Sequence, residues 1–356
     1  MDPDARTTTD LTLGGALERL PKVELHCHVE GTMRPDTLIE LAARNGIELP
    51  TTDVGELYRY ESLDGFLSVF WLVQSTLVTR DDWARLAYES IVDGAAHGLV
   101  HRETFFTPAR HLASGQDLGA IIAGLDEGFA AAEAETGATC RLIGDIDRAF
   151  GAAAAEEFTA QLAALRRANA PGIDRVIGVG MDSTELGVDP LSFTRAYATA
   201  RGAGFRLTAH QGENSPASAI TACLDVLGVE RVDHAISALD DPELVTRLAG
   251  ERVPLTVCPN SNVVISNSFA RLEDHIYPQM RSLGLLATLN TDDPALSALD
   301  LGIEYRTVAE AFGWGWDEMV AIALDGVEGS WLDDAEKAAL RGRIADAAVE
   351  SAPTVG

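Results

Sequence analysis

The feature that most constrains the fold is a regular alternation of short apolar runs with helix-like stretches. From Trp83 onward, Ala-rich segments with helical character separate the apolar runs. Strands that alternate with helical patterns in this way are typical of βαβ units and a parallel sheet. With one earlier run, the predicted strands are Val23–Val29, Leu99–Phe105, Arg141–Ile146, Val176–Met181, Phe205–Ala209, Arg231–Ile236, Pro254–Cys258 and Leu285–Asn290.

Eight such units predict an α/β fold, the closed (β/α)8 TIM barrel. Helix-like segments at Thr37–Asn45 and Leu63–Leu77 predict a helical insertion after strand 1, and residues 300–350 predict C-terminal helices. An open doubly wound sheet is the alternative, but no Gly-rich GxGxxG follows the first strand. Since no repeat or low-complexity linker is visible, we expect residues 1–356 to form a single domain, with 1–15 as a mobile lead-in.

Composition limits the classes of partner. The net charge of −28 disfavours nucleic acid and anionic membranes as partners, and favours a small neutral or cationic molecule. No apolar run is long enough to span a bilayer, and the N-terminal MDPDARTTTD lacks the features of a signal peptide, so we expect a cytoplasmic protein. The scattered cysteines predict neither a disulfide framework nor a thiolate metal site.

Polar residues collect where the predicted strands end. Active sites of barrels of this kind lie at the C-terminal ends of the strands, so this coincidence indicates a functional site. The segments in question are HCH, RETFF, MDST, HQGE, DHA, CPNSN and NTDDP.

Two histidines on the first strand suit one metal ion. His26 and His28 flank Cys27, and the alternation of a strand puts both imidazoles on one face. His210 ends strand 5 and Asp292 ends strand 8. Each alone has a simpler interpretation, a hydrogen-bonded strand histidine or a helix-capping turn before Pro.

Together these residues predict a metal site. They supply three imidazoles and one carboxylate from strands 1, 5 and 8, and strands 1 and 8 are neighbours in a closed barrel. Nitrogen and oxygen donors without thiolates suit one divalent ion, zinc in the first place, with iron, cobalt or manganese as alternatives.

The motifs in these segments resemble the adenosine/adenine deaminase family of the amidohydrolase superfamily. They occur in the family's order and span most of the chain, which makes the combination specific. The matching segments are PKVELHCHVEGTMRPDTL (21–38), ETFFTPARH (103–111), GVGMDSTE (178–185), HQGE (210–213), RVDHA (231–235), PLTVCPNSN (254–262) and LNTDDP (289–294).

The resemblance implies a zinc-dependent hydrolytic deaminase. Glu213 matches the family's proton-shuttling carboxylate, and His234 matches the histidine that orients the attacking water. Asp293 matches the carboxylate that contacts the substrate at the purine N7. The matched metal ligands are His26, His28, His210 and Asp292.

Details of the motifs resemble members that act on adenine. FFTPARH and GVGMDSTE are similar to adenine-type sequences, and Glu30 stands where adenosine-type members have an aspartate for the ribose. Asp182 is expected to accept the N9–H of a free base and Ser183 to donate to N3; the alternative is a strand-to-helix turn with capping residues. The expected reaction is adenine to hypoxanthine plus ammonia.

Several positions depart from the family's pattern near the expected pocket. They are Gln211, Ala235, His101 and the segment ALSALDLGIEY (295–305). Adenosine, an N6-substituted adenine or another aminated heterocycle are therefore alternative substrates. A catalytically silent binding barrel is a remote alternative, since every matched polar group is present.

Three aromatic residues of the predicted insertion allow two interpretations. Phe66, Phe70 and Trp71 either pack within the helical layer or form an apolar lid over a flat ring.

Overall fold

Eight parallel strands form one sheet whose order follows the sequence. The computed structural model describes residues 12–60 and 63–353. The strands are β1 (Lys22–Glu24), β2 (Leu99–Phe106), β3 (Thr139–Asp147), β4 (Val176–Asp182), β5 (Arg206–Gln211), β6 (Arg231–His234), β7 (Pro254–Val257) and β8 (Leu286–Leu289).

Helices surround the strands. Four of them, α2 to α5, separate β1 from β2 and form the predicted insertion, and α14 to α16 follow β8. The helices are α1 (Leu13–Arg19), α2 (Pro35–Asn45), α3 (Val54–Leu57), α4 (Leu63–Thr76), α5 (Arg80–Ala96), α6 (Ala109–Ala113), α7 (Leu118–Thr136), α8 (Gly151–Arg167), α9 (Thr194–Gly202), α10 (Ala217–Ala222), α11 (Pro242–Glu251), α12 (Pro259–Val264), α13 (Tyr277–Ser282), α14 (Leu301–Phe312), α15 (Trp316–Gly329) and α16 (Asp334–Glu350).

The sheet closes through residues that follow β1 and β8. Cys27 and Asp292 form an isolated parallel bridge. The His28 N–H donates to the Asp292 carbonyl at 2.9 Å, and the Asp292 N–H donates to the His26 carbonyl at 3.1 Å. The predicted TIM barrel is thus confirmed, and its seam carries three of the predicted metal ligands.

Strands of the barrel are buried on both faces, even where they carry polar residues. All eight residues of β2 are buried, because side chains point alternately into the barrel and towards the helices. The helical layer is packed closely at α5 and α7, where a Cβ added to Gly128 would lie 2.0 Å from the Ala84 carbonyl oxygen. No described helix is long and apolar enough to cross a membrane.

Some predicted boundaries were wrong. The first strand was predicted as Val23–Val29, but regular pairing stops at Glu24 and continues only as single bridges at Cys27 and His28. The sixth was predicted to reach Ile236, but it ends at His234 because His234 and Ala235 have left-handed φ values of 63° and 56°. Residues 1–11 of the predicted lead-in lie outside the described residues, and helix α1 already begins at Leu13.

Candidate metal and substrate site

The four predicted metal ligands converge at the C-terminal end of the barrel. Asp292 Oδ1 lies 3.2 Å from His26 Nε2 and 3.4 Å from His28 Nε2. His28 Nε2 lies 3.1 Å from His210 Nε2. A set of potential ligand atoms from these four residues lies within 4.8 Å of one another.

This arrangement fits a tetrahedral ion. Ligand atoms about 2.0–2.1 Å from a tetrahedral metal are separated by about 3.3 Å, close to the three measured distances. His26 Nε2 is buried without a hydrogen-bond partner, as expected for an atom whose lone pair serves a metal. The donor set of three imidazoles and one carboxylate can therefore hold a divalent cation.

Neighbouring residues contact the ligand side chains on the side that faces away from the proposed metal. His26 Nδ1 lies 3.0 Å from Thr256 Oγ1 and 3.2 Å from the Thr256 carbonyl oxygen, which leaves Nε2 facing the site. His210 Nδ1 lies 3.6 Å from Asp233 Oδ2. The Ser261 hydroxyl donates to Asp292 Oδ2 at 2.6 Å. Such outer contacts fix the tautomer and ring orientation of metal-binding histidines.

The electrostatic surroundings favour the metal-binding protonation states of His28, His210 and Asp292. At His26, burial lowers the pKa but Asp292 outweighs it, so the pKa of His26 is raised. Burial lowers the pKa of His28 to about 4, and burial together with the neighbouring imidazoles lowers the pKa of His210 well below its usual value. Burial opposes ionisation of Asp292, but His26 and His234 outweigh it and hold the pKa of Asp292 well below its usual range. Neutral imidazoles and an ionised carboxylate are the forms that bind cations.

Left-handed backbone marks three strand ends at the site. The φ values are 71° at Ser183 after β4, 63° at His234 in β6 and 67° at Asp292 after β8. Non-glycine residues adopt this region at a cost, and such residues cluster at functional sites. The geometry turns these side chains away from the direction that continued strand pairing would give them.

A pocket opens above the ligands. Its walls include all the predicted catalytic side chains, Glu213 and His234, and the predicted substrate contacts Asp182, Ser183 and Asp293. Helix α4 supplies apolar groups to the same pocket, so the lid interpretation of its aromatic residues is the one that agrees with their position. The α4 residues that line it are Phe66, Leu67, Phe70, Trp71 and Gln74.

Glu213 and His234 share a neutral partner. The Asn262 side-chain amide donates to Glu213 Oε1 at 3.1 Å, and its nitrogen lies 3.2 Å from His234 Nδ1. His234 Nε2 lies 3.9 Å from Asp292 Oδ2, so this imidazole faces the metal site. The arrangement places a carboxylate and an imidazole on one side of the pocket floor.

Asp293 is held by close packing against Gly31. A Cβ added to Gly31 would lie 2.0 Å from Asp293 Oδ1, so only glycine leaves room for that carboxyl group. Asp293 Oδ1 is buried without a hydrogen-bond partner, and burial together with Asp292 raises the pKa of Asp293 well above its usual value. A buried, unpaired carboxyl oxygen in a pocket wall is suited to a ligand contact.

Asp182 and Glu30 both resemble Asp293 in having one buried carboxyl oxygen without a hydrogen-bond partner, but only Asp182 lines the pocket. Asp182 Oδ2 accepts from the Thr107 hydroxyl, and Oδ1 is buried without a partner. Glu30 is not among the described residues that line the pocket; its Oε1 accepts the Thr107 N–H at 2.9 Å, and burial raises its pKa to about 7. Glu30 therefore supports the wall without reaching the cavity.

Sequence reasoning missed two polar residues around the site. Arg148 follows β3 and Glu185 follows β4, and both are buried. Glu185 lies inside a quoted motif, and Arg148 lies one residue after β3, so position at a strand end was the available signal. Their partners come from other strands and could not be read from the sequence.

Comparison with known proteins agrees with this geometry. The family model described as adenosine deaminase matches residues 21–347. An adenine deaminase of Streptomyces coelicolor is 39% identical over 327 residues, which cover 90% of this chain and 93% of that protein. An adenine deaminase of Cupriavidus necator is 37% identical, with 93% of each chain covered.

Solved structures show the same fold. A crystal structure of adenine deaminase from Arthrobacter aurescens has a TM-score of 0.86 and 35% identity, covering 92% of this chain and 98% of that one. An amidohydrolase from Burkholderia ambifaria with bound zinc has a TM-score of 0.88 and 32% identity, covering 97% and 96%. The matched motifs, the barrel and these relatives lead to one conclusion: the chain belongs to the adenosine deaminase family.

Proposed function

We propose that the chain is a metal-dependent hydrolytic deaminase that converts adenine to hypoxanthine and ammonia. The observation that carries this proposal is the convergence of His26, His28, His210 and Asp292 beneath a pocket walled by Glu213 and Asp293. The curated relatives named adenine deaminase support the choice of substrate.

Zinc is the metal we propose. The donor set suits it, and the 32%-identical amidohydrolase from Burkholderia ambifaria contains zinc. A bound zinc ion supplies a water of lowered pKa, and thus a nucleophile at neutral pH without a serine or cysteine.

The chain's own residues then handle protons and orientation. Glu213 takes one proton from the attacking water and delivers it to N1. It then takes the second proton from the oxygen added at C6 and delivers it to the amine, which leaves as ammonia. His234 orients the attacking water from the pocket floor. Asp293 contacts the purine N7. Asp182 accepts the N9–H of a free base, and Ser183 donates to N3. The apolar side chains of Phe66 and Phe70 cover the ring and exclude water.

The charged residues of the pocket wall favour a neutral base over a phosphorylated purine. Among the described residues that line the pocket there is no lysine or arginine, whereas Asp147, Asp182, Glu213, Asp292 and Asp293 are all present. A phosphate group would find no lysine or arginine side chain in this wall to pair with. A neutral base is therefore favoured over a nucleotide.

The proposal is tested by measuring the 6-oxopurine product, from its absorbance, with the purified, zinc-loaded protein. Adenine, adenosine, N6-methyladenine and AMP are compared at equal concentration; the amine released is methylamine from N6-methyladenine and ammonia from the other three. We expect adenine to give the highest kcat/KM and AMP to give none. Faster turnover of adenosine or N6-methyladenine would change the substrate, whereas no turnover of any aminopurine would refute the proposed function.

A further inference from the structure

A buried amide joins two buried charges beside the pocket. The Gln211 side chain is 1% exposed. Its Oε1 accepts from Arg148 Nη2 at 3.1 Å, and its Nε2 donates to Glu185 Oε2 at 2.9 Å. Arg148, Gln211 and Glu185, here called the positioning chain, belong to the C-terminal ends of β3, β5 and β4 respectively.

The Glu185 end holds the segment that carries Glu213. The two Glu185 oxygens accept the Gly212 N–H at 2.8 Å and the Glu213 N–H at 3.0 Å, and Oε2 also accepts from the Ser215 hydroxyl. Backbone amides that point at one carboxylate fix the path of a loop, because the charged acceptor strengthens each bond. The backbone position of Glu213 therefore depends on Glu185.

The Arg148 end holds the segment that carries Asp182 and Ser183. Arg148 Nη1 donates to the Asp182 carbonyl at 3.2 Å and to the Ser183 carbonyl at 3.1 Å. Nη2 donates to the His210 carbonyl. The same guanidinium thus touches the β4 segment with the proposed substrate contacts and the β5 segment with a proposed metal ligand.

Gln211 is the link between these two ends. A small residue at this position would leave a guanidinium nitrogen and a carboxylate oxygen each short of one partner in a buried setting. Buried ions that lose a partner are costly, and networks of this kind act as one unit. Its amide completes the network without adding charge.

We propose that Arg148, Gln211 and Glu185 act as a positioning chain that fixes the position of Glu213 relative to Asp182 and Ser183. The inference rests on the proposed function and assigns no contact with substrate to the three residues. It gives a physical role to Gln211, one of the positions where this sequence departs from its family's pattern.

Two replacements of Gln211 separate bonding from packing. Gln211→Met keeps the volume and removes the hydrogen bonds to Arg148, Glu185 and Ser215, whereas Gln211→Ala also removes the volume. We expect both to lower kcat for the best substrate by about 100-fold, the usual effect of a catalytic group displaced by about 1 Å. Bound zinc should remain at the wild-type level, because the ligands are unchanged.

Hydrogen exchange gives a readout that does not depend on turnover. In Glu185→Gln the carboxamide offers one acceptor oxygen in place of two, so the Gly212 and Glu213 amides lose their common partner. We expect their exchange to quicken by about 10-fold or more, while amides of β2 and α7 stay unchanged.

The matched control is Glu133→Gln in α7, beside the N-terminal end of β3. Glu133 also accepts several donors, from Arg175 and from the Cys140 N–H at 2.7 Å, but none of them lines the pocket. It should lower the thermal midpoint without changing kcat. Full activity in Gln211→Met would overturn the inference, as would unchanged exchange in Glu185→Gln. An inactive wild-type protein would instead refute the proposed function.

Discussion

Adjacent carboxylates at the end of β8 have different surroundings. Asp292 Oδ1 faces two imidazoles and Oδ2 accepts from Ser261, whereas Asp293 Oδ1 has no partner. A cation beside Asp292 would neutralise its charge. A ring nitrogen beside Asp293 would supply the partner that its Oδ1 lacks. The pair is therefore better described as two separate functional groups than as a turn alone.

Glu213→Gln tests proton transfer at the residue scale. The amide keeps the shape but cannot take and return a proton, so we expect kcat to fall by at least about 100-fold. Zinc content, measured by elemental analysis, should not change. Near-normal ammonia release from the variant would contradict the role of Glu213.

Asp292→Ala tests the metal site itself. Loss of the only carboxylate among the four ligands removes the negative charge that compensates the cation, so we expect bound zinc to drop to a small fraction of the wild-type level. Activity should disappear with the metal. Retention of stoichiometric zinc after dialysis would show that the ion is held elsewhere.

Glu304→Gln tests a buried carboxyl group outside the pocket. Burial raises the pKa of Glu304 to about 8, above its unfolded value, so the folded state keeps this proton longer than the unfolded state. Its contribution to stability is therefore present below about pH 4.5 and is lost as pH rises to 8. Relative to wild type, the variant should gain on the order of 2 kcal/mol between pH 5 and pH 8.

Denaturant unfolding at the two pH values measures this gain. Glu310→Gln, an exposed position on the same helix, serves as the control, because it retains Glu304 and should lose stability between the two pH values as the wild type does. An equal difference between Glu304→Gln and wild type at both pH values would contradict the assignment.

Single site residues could be predicted from the sequence where residue type and spacing indicate the same kind of site. The HxH pair, His210 and Asp292 were predicted as ligands, and the structure brings them together as that prediction requires. Arg148 and Glu185 were not singled out, because a lone charged residue after a strand is common and their importance arises from contacts between different strands. Glu30 was predicted as a substrate contact; it is not among the described residues that line the pocket, and its Oε1 accepts the Thr107 N–H.

At the scale of elements, Gly128 tests the packing of α5 against α7. The Cβ of Gly128→Ala would fall 2.0 Å from the Ala84 carbonyl oxygen, which is backbone and cannot rotate away. We expect the helices to separate and the unfolding free energy to drop by about 1–3 kcal/mol. Gly342→Ala in α16, where nothing lies within 4 Å of the added Cβ, should instead be neutral or slightly stabilising.

Thermal unfolding of the two variants measures the difference. Equal midpoints for Gly128→Ala and Gly342→Ala would show that the close approach of α5 and α7 does not limit stability. The kcat and KM of both variants should equal the wild-type values, since neither α7 nor α16 supplies a residue to the pocket wall.

Element type was easier to predict than element length. The alternation of apolar runs and helices gave all eight strands in the right order, because a buried parallel strand is apolar on both faces. The ends of β1 and β6 were misjudged, because the apolar pattern continues after the backbone leaves the sheet. At His234 and Ala235 the left-handed turn is imposed by the site around them rather than by local propensity.

At the scale of the whole molecule, the net charge of −28 should destabilise the fold through mutual repulsion. Raising the ionic strength from about 0.01 M to 0.15 M shortens the screening length from about 30 Å to about 8 Å. We expect the thermal midpoint of the zinc-loaded protein to rise over this range. An unchanged or lower midpoint at constant zinc content would contradict the expectation.

The barrel's seam has a consequence for biosynthesis. His26 and His28 precede β2 to β8 along the chain, so they leave the ribosome before Asp292, which is made only after β8. Domains form from the N-terminus onward during translation, yet here the ion cannot be captured until the last strand arrives and closes the ring. Acquisition of metal would therefore be the final step in maturation, and a chain stalled before β8 could not hold the ion in this way.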